Sequence, residues 1–320
     1  MNVRNKERAR FFDLIKLRFE RCLEPALGCT HDAIRAHSVQ RVGALELIAV
    51  DGHVYKIGNT MSEGGPDVKF EKTGIRQAST FYGFCNRHDT KLFEAIDTRP
   101  LSAHDNEQLF LLAYRAVTKE LHSALQAAMG MHKLVVGGLP GGTNDHAERD
   151  AQTVFLRSWI IWRYRYIYYD KNICRGGHDS VSHSTFIIDN EQPAVAAAAF
   201  FFVDRKRYGE PCAGVALNVV PLSEDRTLVV FSYAKESSGK ARRYIAPIMR
   251  AAGEARSYEL SCLLLNRAEN FFVSPRAVEA WSPQKRRDIE CAFKAADPEK
   301  CKEVERTPEM MLFAARDQGV

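Results

Sequence analysis

Two short stretches decide how this chain is read: Cys22-Leu-Glu-Pro-Ala-Leu-Gly28-Cys29 and, further on, Phe84-Cys85-Asn86-Arg87-His88-Asp89. The first is a Cys-x6-Cys pair with Pro25 and Gly28 between the thiols, residue types that turn a chain back on itself. The second is a Cys-x2-His pair. Zinc favours four tetrahedral thiolate and imidazole ligands, commonly delivered as two close-spaced pairs. Cys22, Cys29, Cys85 and His88 are therefore read as ligands of a structural zinc ion. His37, in Ala36-His37-Ser38, lies between the pairs and leaves a second assignment open, in which it replaces Cys22 as a ligand.

Between the pairs, Leu45–Val50 and His53–Ile57 are β-prone runs separated by Asp51-Gly52, which predicts a hairpin. Residues 58–78, rich in glycine and polar types, read as a loop, and Ala78–Phe84 as a short approach strand. Asn86–Ile96 reads as a helix starting at the second pair. His31 is expected to be an exposed turn residue and His53 a polar strand residue. Ser79-Thr80 reads as strand chemistry rather than a phosphate contact.

Knuckle, histidine, hairpin, second knuckle and helix, in that order, resemble the treble-clef zinc fold and, within it, the HNH nuclease family. The likeness covers residues 20–95 and is carried by Cys22, Cys29, Ala36-His37 and Phe84–Asp89. It implies a structural zinc on Cys22, Cys29, Cys85 and His88, with His37 as the general base that activates water against a phosphodiester. It also implies a catalytic Mg2+ or Mn2+ ion near Asp89, since carboxylates suit hard cations. Nucleic acid is the partner implied. By association with nuclease-like modules, the reading extends to bacterial defence against phage.

Outside this module the chain is ordinary for a folded protein. It has 320 residues, 45% of them hydrophobic and 27% charged, with a net charge of +5. That mild basicity permits an acidic partner without demanding one. The longest apolar run, Pro193–Val203, is too short to span a bilayer. The N-terminus lacks the apolar segment of a signal peptide, and no membrane association is expected. The eight cysteines then read as thiols in the reducing cytoplasm rather than as a disulfide framework. Lys6–Phe19 reads as a basic amphipathic helix whose Phe12, Ile15 and Phe19 pack on the zinc module, a solvated face in preference to a phosphate-binding arm.

Beyond Pro100, Ser102-x-x-Asp105 has the spacing of a capping box, and Glu107–Met129 has helical apolar periodicity. Gly137–Gly142 reads as a flexible linker. It lacks the Lys-Ser/Thr of a nucleotide-binding loop. Asp145-x-x-Glu148 opens a second long helix. Its Phe155, Trp159, Trp162, Tyr166 and Tyr169, interleaved with arginines, have the spacing of a core seam. Stacking against a nucleic-acid single strand is the other explanation. Strands are expected at Val181–Ile188, Val195–Val203, Ala213–Val220 and Thr227–Ala234, in an antiparallel sheet. Helices follow at Gly239–Ala252, Arg256–Arg267 and after Ser282-Pro283, an N-cap with proline at the first helical position. His178, Asp179 and His183 read as a polar loop rather than a metal site.

The expected fold class is α+β: an N-terminal treble-clef-like zinc module (1–100), a helical connector made of a long helical pair (101–172), and an antiparallel sheet with C-terminal helices (173–320). The functions considered are an HNH-like nuclease, a non-catalytic zinc finger that binds nucleic acid or a protein partner, and a small-molecule or signal sensor built on the C-terminal half.

Overall fold

The computed structural model describes residues 18–62, 65–136, 145–189, 192–204, 212–296 and 303–313. The basic helix expected at Lys6–Phe19 falls almost wholly outside them, and so does the glycine stretch Gly137–Gly142. In chain order the longer elements are strands β1 (His53–Ser62) and β2 (Gly65–Gly74), then helices α1 (Asn86–Asp97), α2 (Asn106–Val136) and α3 (Asp145–Arg165). Strands β3 (Val181–Asp189), β4 (Val195–Phe202), β5 (Gly214–Pro221) and β6 (Arg226–Ala234) follow. Helices α4 (Ser238–Arg250) and α5 (Gly253–Arg267), strand β7 (Phe271–Val273), and helices α6 (Pro275–Ala280) and α7 (Pro283–Ala295) complete the set. The fold class is α+β. No described helix is long and apolar enough to cross a membrane.

The chain divides into two compact units. The first comprises residues 1–36, 81–93 and 117–178; the second comprises 37–80, 94–116 and 179–320.

The second unit is built on a seven-stranded sheet in the order β2-β1-β7-β4-β5-β6-β3, antiparallel at every junction. The four strands expected between 181 and 234 are present. Both faces of the central strands are covered, which is why they read as continuous apolar runs rather than alternating ones. One face carries Ala197, Ala199, Phe201, Leu217, Val219, Val229 and Phe231, which cluster with Ile245, Leu260 and Leu264 of α4 and α5. The opposite face presents Leu228 and Val230 to Leu109, in the first turns of α2.

Three expectations are corrected in this unit. Of the loop expected at 58–78 only the end, 75–78, is a turn: β1 and β2 pair in register from His53↔Gly74 to Ser62↔Gly65. β1 then joins the sheet through Tyr55↔Val273 and Lys56↔Phe272 of β7, a partner more than two hundred residues away that no local signal announces. Leu45–Val50 is not a strand either. Residues 46–48 are helical, following a kinked turn at Arg41–Leu45, because Ala44, Leu45 and Ile48 bury themselves on one face at helical spacing. The Asp51-Gly52 turn does form, with both residues at positive φ, as a two-residue primed turn requires. Finally, Ala78–Phe84 contributes only a two-residue strand, Thr80–Phe81.

Capping explains where α2 and α7 begin. The Asp105 carboxylate, not Ser102, accepts the N–H of Gln108 at 3.1 Å. The Ser102 hydroxyl instead accepts the N–H of His104. Ser282 caps α7 as expected, accepting from the N–H of Lys285 at 3.1 Å. Helix α7 also covers the sheet edge. Glu290 accepts the N–H of Phe70 at 2.8 Å and Arg286 donates to the Phe70 carbonyl at 2.7 Å. An open strand edge invites pairing with another chain, and these two side chains occupy the hydrogen-bonding groups of Phe70 on β2.

The first unit packs the later turns of α2 and helix α3 with the cysteine-bearing segments. Glu120 of α2 and Arg157 of α3 form an ion pair at 2.7 Å. His122 of α2 is buried, edge-on to both Phe19 and Phe81, and its Nε2–H donates to the Phe19 carbonyl at 2.9 Å. Burial pushes its pKa down to about 4, against about 6.5 in an unfolded chain. Between those values the unfolded chain binds the extra proton, so stability falls as pH drops from 6.5 to 4, by about 3 kcal/mol at most. We expect the melting temperature to decline over that window and His122→Phe to decline less steeply. Equal slopes for the two proteins would contradict this role.

Candidate metal centre

The first knuckle is organised by Glu24, a buried carboxylate. It accepts the N–H groups of Ala26 at 2.7 Å, Gly28, and Cys29 at 3.1 Å. This folds the Cys-x6-Cys segment so that both sulfurs face one point. Leu27 takes a positive φ of 55° within the turn, a conformation uncommon for residues other than glycine. The segment is tied to the second knuckle by Leu23 N–H to Gly83 O at 2.7 Å and by Ile34 N–H to Phe84 O at 2.7 Å.

The second knuckle opens α1. Cys85 stands just before its first residue and His88 lies one turn on, so the helical geometry places the two ligands on one side. The N–H of Cys85 donates to the sulfur of Cys22 at 3.2 Å.

The four side chains converge, with their ligand atoms all within 4.8 Å of one another. Cys29 Sγ and Cys85 Sγ are 3.8 Å apart. Nδ1 of His88 lies 3.4 Å from the sulfur of Cys22 and 3.3 Å from that of Cys85. Zinc bonds of about 2.3 Å to sulfur and about 2.0–2.1 Å to nitrogen imply tetrahedron edges of about 3.8 Å between sulfurs and about 3.6 Å between sulfur and nitrogen. These three separations lie close to these edges. The donor set is thus both the right kind and the right size for a tetrahedral metal ion.

The electrostatics of the thiols follow from their surroundings. Burial pushes the Cys22 thiol up to about 12. For Cys85 burial also pushes upward, but it is outweighed by the N–H groups of His88 and Arg87 and by the neighbouring thiols, and the net shift is downward. A bound dication deprotonates its thiols outright. On His88 the side chain of Arg87 approaches Nε2 at 3.3 Å. Arginine can only donate, and a histidine that holds metal through Nδ1 carries its proton on Nε2.

His37 is not a member of this cluster; Cys22 is. His37 is half-buried in the second unit. Its Nδ1 meets the Ser79 hydroxyl at 3.1 Å, while that hydroxyl meets the Val39 carbonyl at 3.1 Å. Ser79 has one proton, which goes to the carbonyl, so it accepts from His37. This places the imidazole proton on Nδ1 and a lone pair on Nε2. Burial lowers the pKa of His37; the Ala78 backbone and the Asp97 charge oppose this, the Arg41 and Arg115 charges add to it, and the net shift favours the neutral ring. Asp89 is half-buried in the first turn of α1 and stands outside the cluster. Among the described residues no other group of three or more such side chains could hold a metal ion. His31 is exposed, and His53 bonds the Asp51 carbonyl at 2.7 Å. His183 lies on β3 rather than in a loop, with Nδ1 2.7 Å from the Ser232 hydroxyl.

Two residues that support the centre were not singled out from the sequence. Glu24 is one. The other is Arg165 of α3, fully buried, whose Nη2 donates to the carbonyl of Leu23, next to Cys22, at 2.9 Å. Its Nε pairs with the buried Asp170 carboxylate at 3.2 Å. The only hint in the sequence was that Arg165 falls on the same helical face as Ile161 and Tyr168. The seven described cysteines are free thiols. No family model, no curated protein and no solved structure matches this chain.

Proposed function

We propose that this chain is a zinc protein in which Cys22, Cys29, Cys85 and His88 hold one structural zinc ion, and that it works on nucleic acid. The observation that supports the metal is the near-tetrahedral spacing of three sulfurs and one imidazole nitrogen. Four protein ligands close the coordination shell, leaving no position for water or substrate, so the zinc's role is to fold the module rather than to react. Nucleic acid as the partner rests on the treble-clef resemblance and the mild positive charge. Elemental analysis of the purified chain should find one zinc. Well-folded protein without zinc would overturn the proposal.

His37 favours a second reading, hydrolysis of a phosphodiester. A neutral imidazole anchored at Nδ1, with its lone pair on Nε2, is the form a general base requires. In this reading Asp89 helps bind a Mg2+ or Mn2+ ion that arrives with the substrate phosphates. His37→Ala should then leave zinc content unchanged and lower metal-dependent cleavage by about a hundredfold or more. Equal cleavage by the two proteins would remove His37 as the base, and no cleavage by the native chain leaves the non-catalytic zinc protein as the function.

A further inference from the structure

Helix α3 turns its aromatic stripe outward. Phe155 is 66% exposed, Trp159 43% and Tyr166 38%, while Trp162 is half-buried. The face that packs inward instead carries Ser158, Ile161, Tyr164 and Arg165. The core-seam reading of residues 155 to 166 is therefore corrected; within that series only Tyr169 is fully buried. A five-residue π turn at Tyr166–Asp170 follows α3, and the chain stays helical to Ile173. It buries Tyr168, Tyr169 and Asp170 while leaving Tyr166 and Lys171 exposed.

The exposed aromatics are arranged with cations. The guanidinium of Arg163 lies 5.5 Å from the Trp159 ring centre, and the ammonium of Lys171 lies 4.9 Å from that of Tyr166. Trp162 and Tyr166 stack nearly parallel, 9° apart in plane with centres at 5.5 Å. From Phe155 to Gly176 the exposed charges are Arg157, which is paired with Glu120 of α2, and Arg163, Lys171 and Arg175. The one acid in that stretch, Asp170, is buried and paired with Arg165. Within this stretch rings and cations are exposed and no carboxylate is, a combination that complements a polyanion carrying flat groups.

We infer that the outer face of α3 and the π turn bind single-stranded nucleic acid, with bases stacking on Trp159, Trp162 and Tyr166 and phosphates meeting Arg163, Lys171 and Arg175. Base-on-aromatic stacking tolerates any sequence because every base has a π face. An intact duplex hides those faces, so rings on a helix surface select the unpaired strand. The centre of a protein–protein interface is depleted of charge, whereas here cations stand against the rings themselves. The inference rests on α3 and needs no metal. It shares only the broad class of partner with the proposed function.

The test is fluorescence anisotropy of a labelled oligothymidylate of about 15 nucleotides with the full zinc-loaded chain. We expect binding that weakens steeply between about 50 and 200 mM salt and that quenches tryptophan emission. Trp159→Ala should weaken it about tenfold, and Lys171→Gln should reduce the salt dependence, with zinc content and circular dichroism unchanged. Four results would overturn the inference: no binding at low salt, preference for a duplex of equal length, unchanged affinity in Trp159→Ala, or self-association that Trp159→Ala abolishes. Preference for the duplex with zinc present would leave the proposed function standing. Single-strand binding by protein that never contained zinc would overturn the metal proposal alone.

Discussion

Cys85→Ser should release the metal and melt the first unit at a temperature lower by about 10 °C or more. Cys85 touches every other member of the cluster: its sulfur lies 3.8 Å from Cys29 and 3.3 Å from His88, and its N–H holds the sulfur of Cys22. Structural zinc contributes about 10 kcal/mol or more to the folding of finger peptides. Here the first unit has an apolar core of its own, including Phe84, Phe93, Leu121 and Tyr169, so the loss is expected to be smaller but still the largest of any single side chain. A chelator should reproduce the effect in the native chain. His88→Cys should keep the ion, because four thiolates also satisfy zinc, and His88→Ala should lose it. The comparison separates ligation from packing. Zinc retained in Cys85→Ser, with unchanged melting, would sink the assignment.

The second large effect is expected at Arg165. Its guanidinium donates to Leu23 O, pairs with Asp170, and approaches the Thr118 hydroxyl at 3.4 Å. Arg165→Met takes the cation from a buried carboxylate and the donor from the backbone beside Cys22. Removing one partner of a buried ion pair typically costs about 3–5 kcal/mol. Replacing both members by apolar groups is often near neutral, so Arg165→Met with Asp170→Leu should recover much of the loss. Urea unfolding of the two variants and the native chain measures this. A single variant within about 1 kcal/mol of native would show that the pair is not structurally important.

The sequence by itself determined what depends on neighbours along the chain. The two ligand pairs were legible because Cys-x6-Cys and Cys-x2-His carry their chemistry locally, and α1 was legible because it starts at the second pair. Strands β4 to β6 declared themselves as apolar runs bounded by turns, and Ser282-Pro283 marked the start of α7 with the residues a helix start needs. Tertiary structure alone decided the rest. Leu45–Val50 is as apolar as a strand, and only the core it enters makes its middle helical. The pairing of β1 with β7 joins residues that no short-range pattern can associate. In α3 the spacing of Phe155, Trp159, Trp162 and Tyr166 showed that they share a face but not what that face meets. Helical periodicity is the same whether a stripe is buried or exposed, and the core of the first unit is filled by the opposite side of the helix. Arg165 lies on that inner side, where the nearby Asp170 carboxylate and the carbonyl of Leu23, from a distant part of the chain, receive it, and the second partner is settled only when the chain has folded.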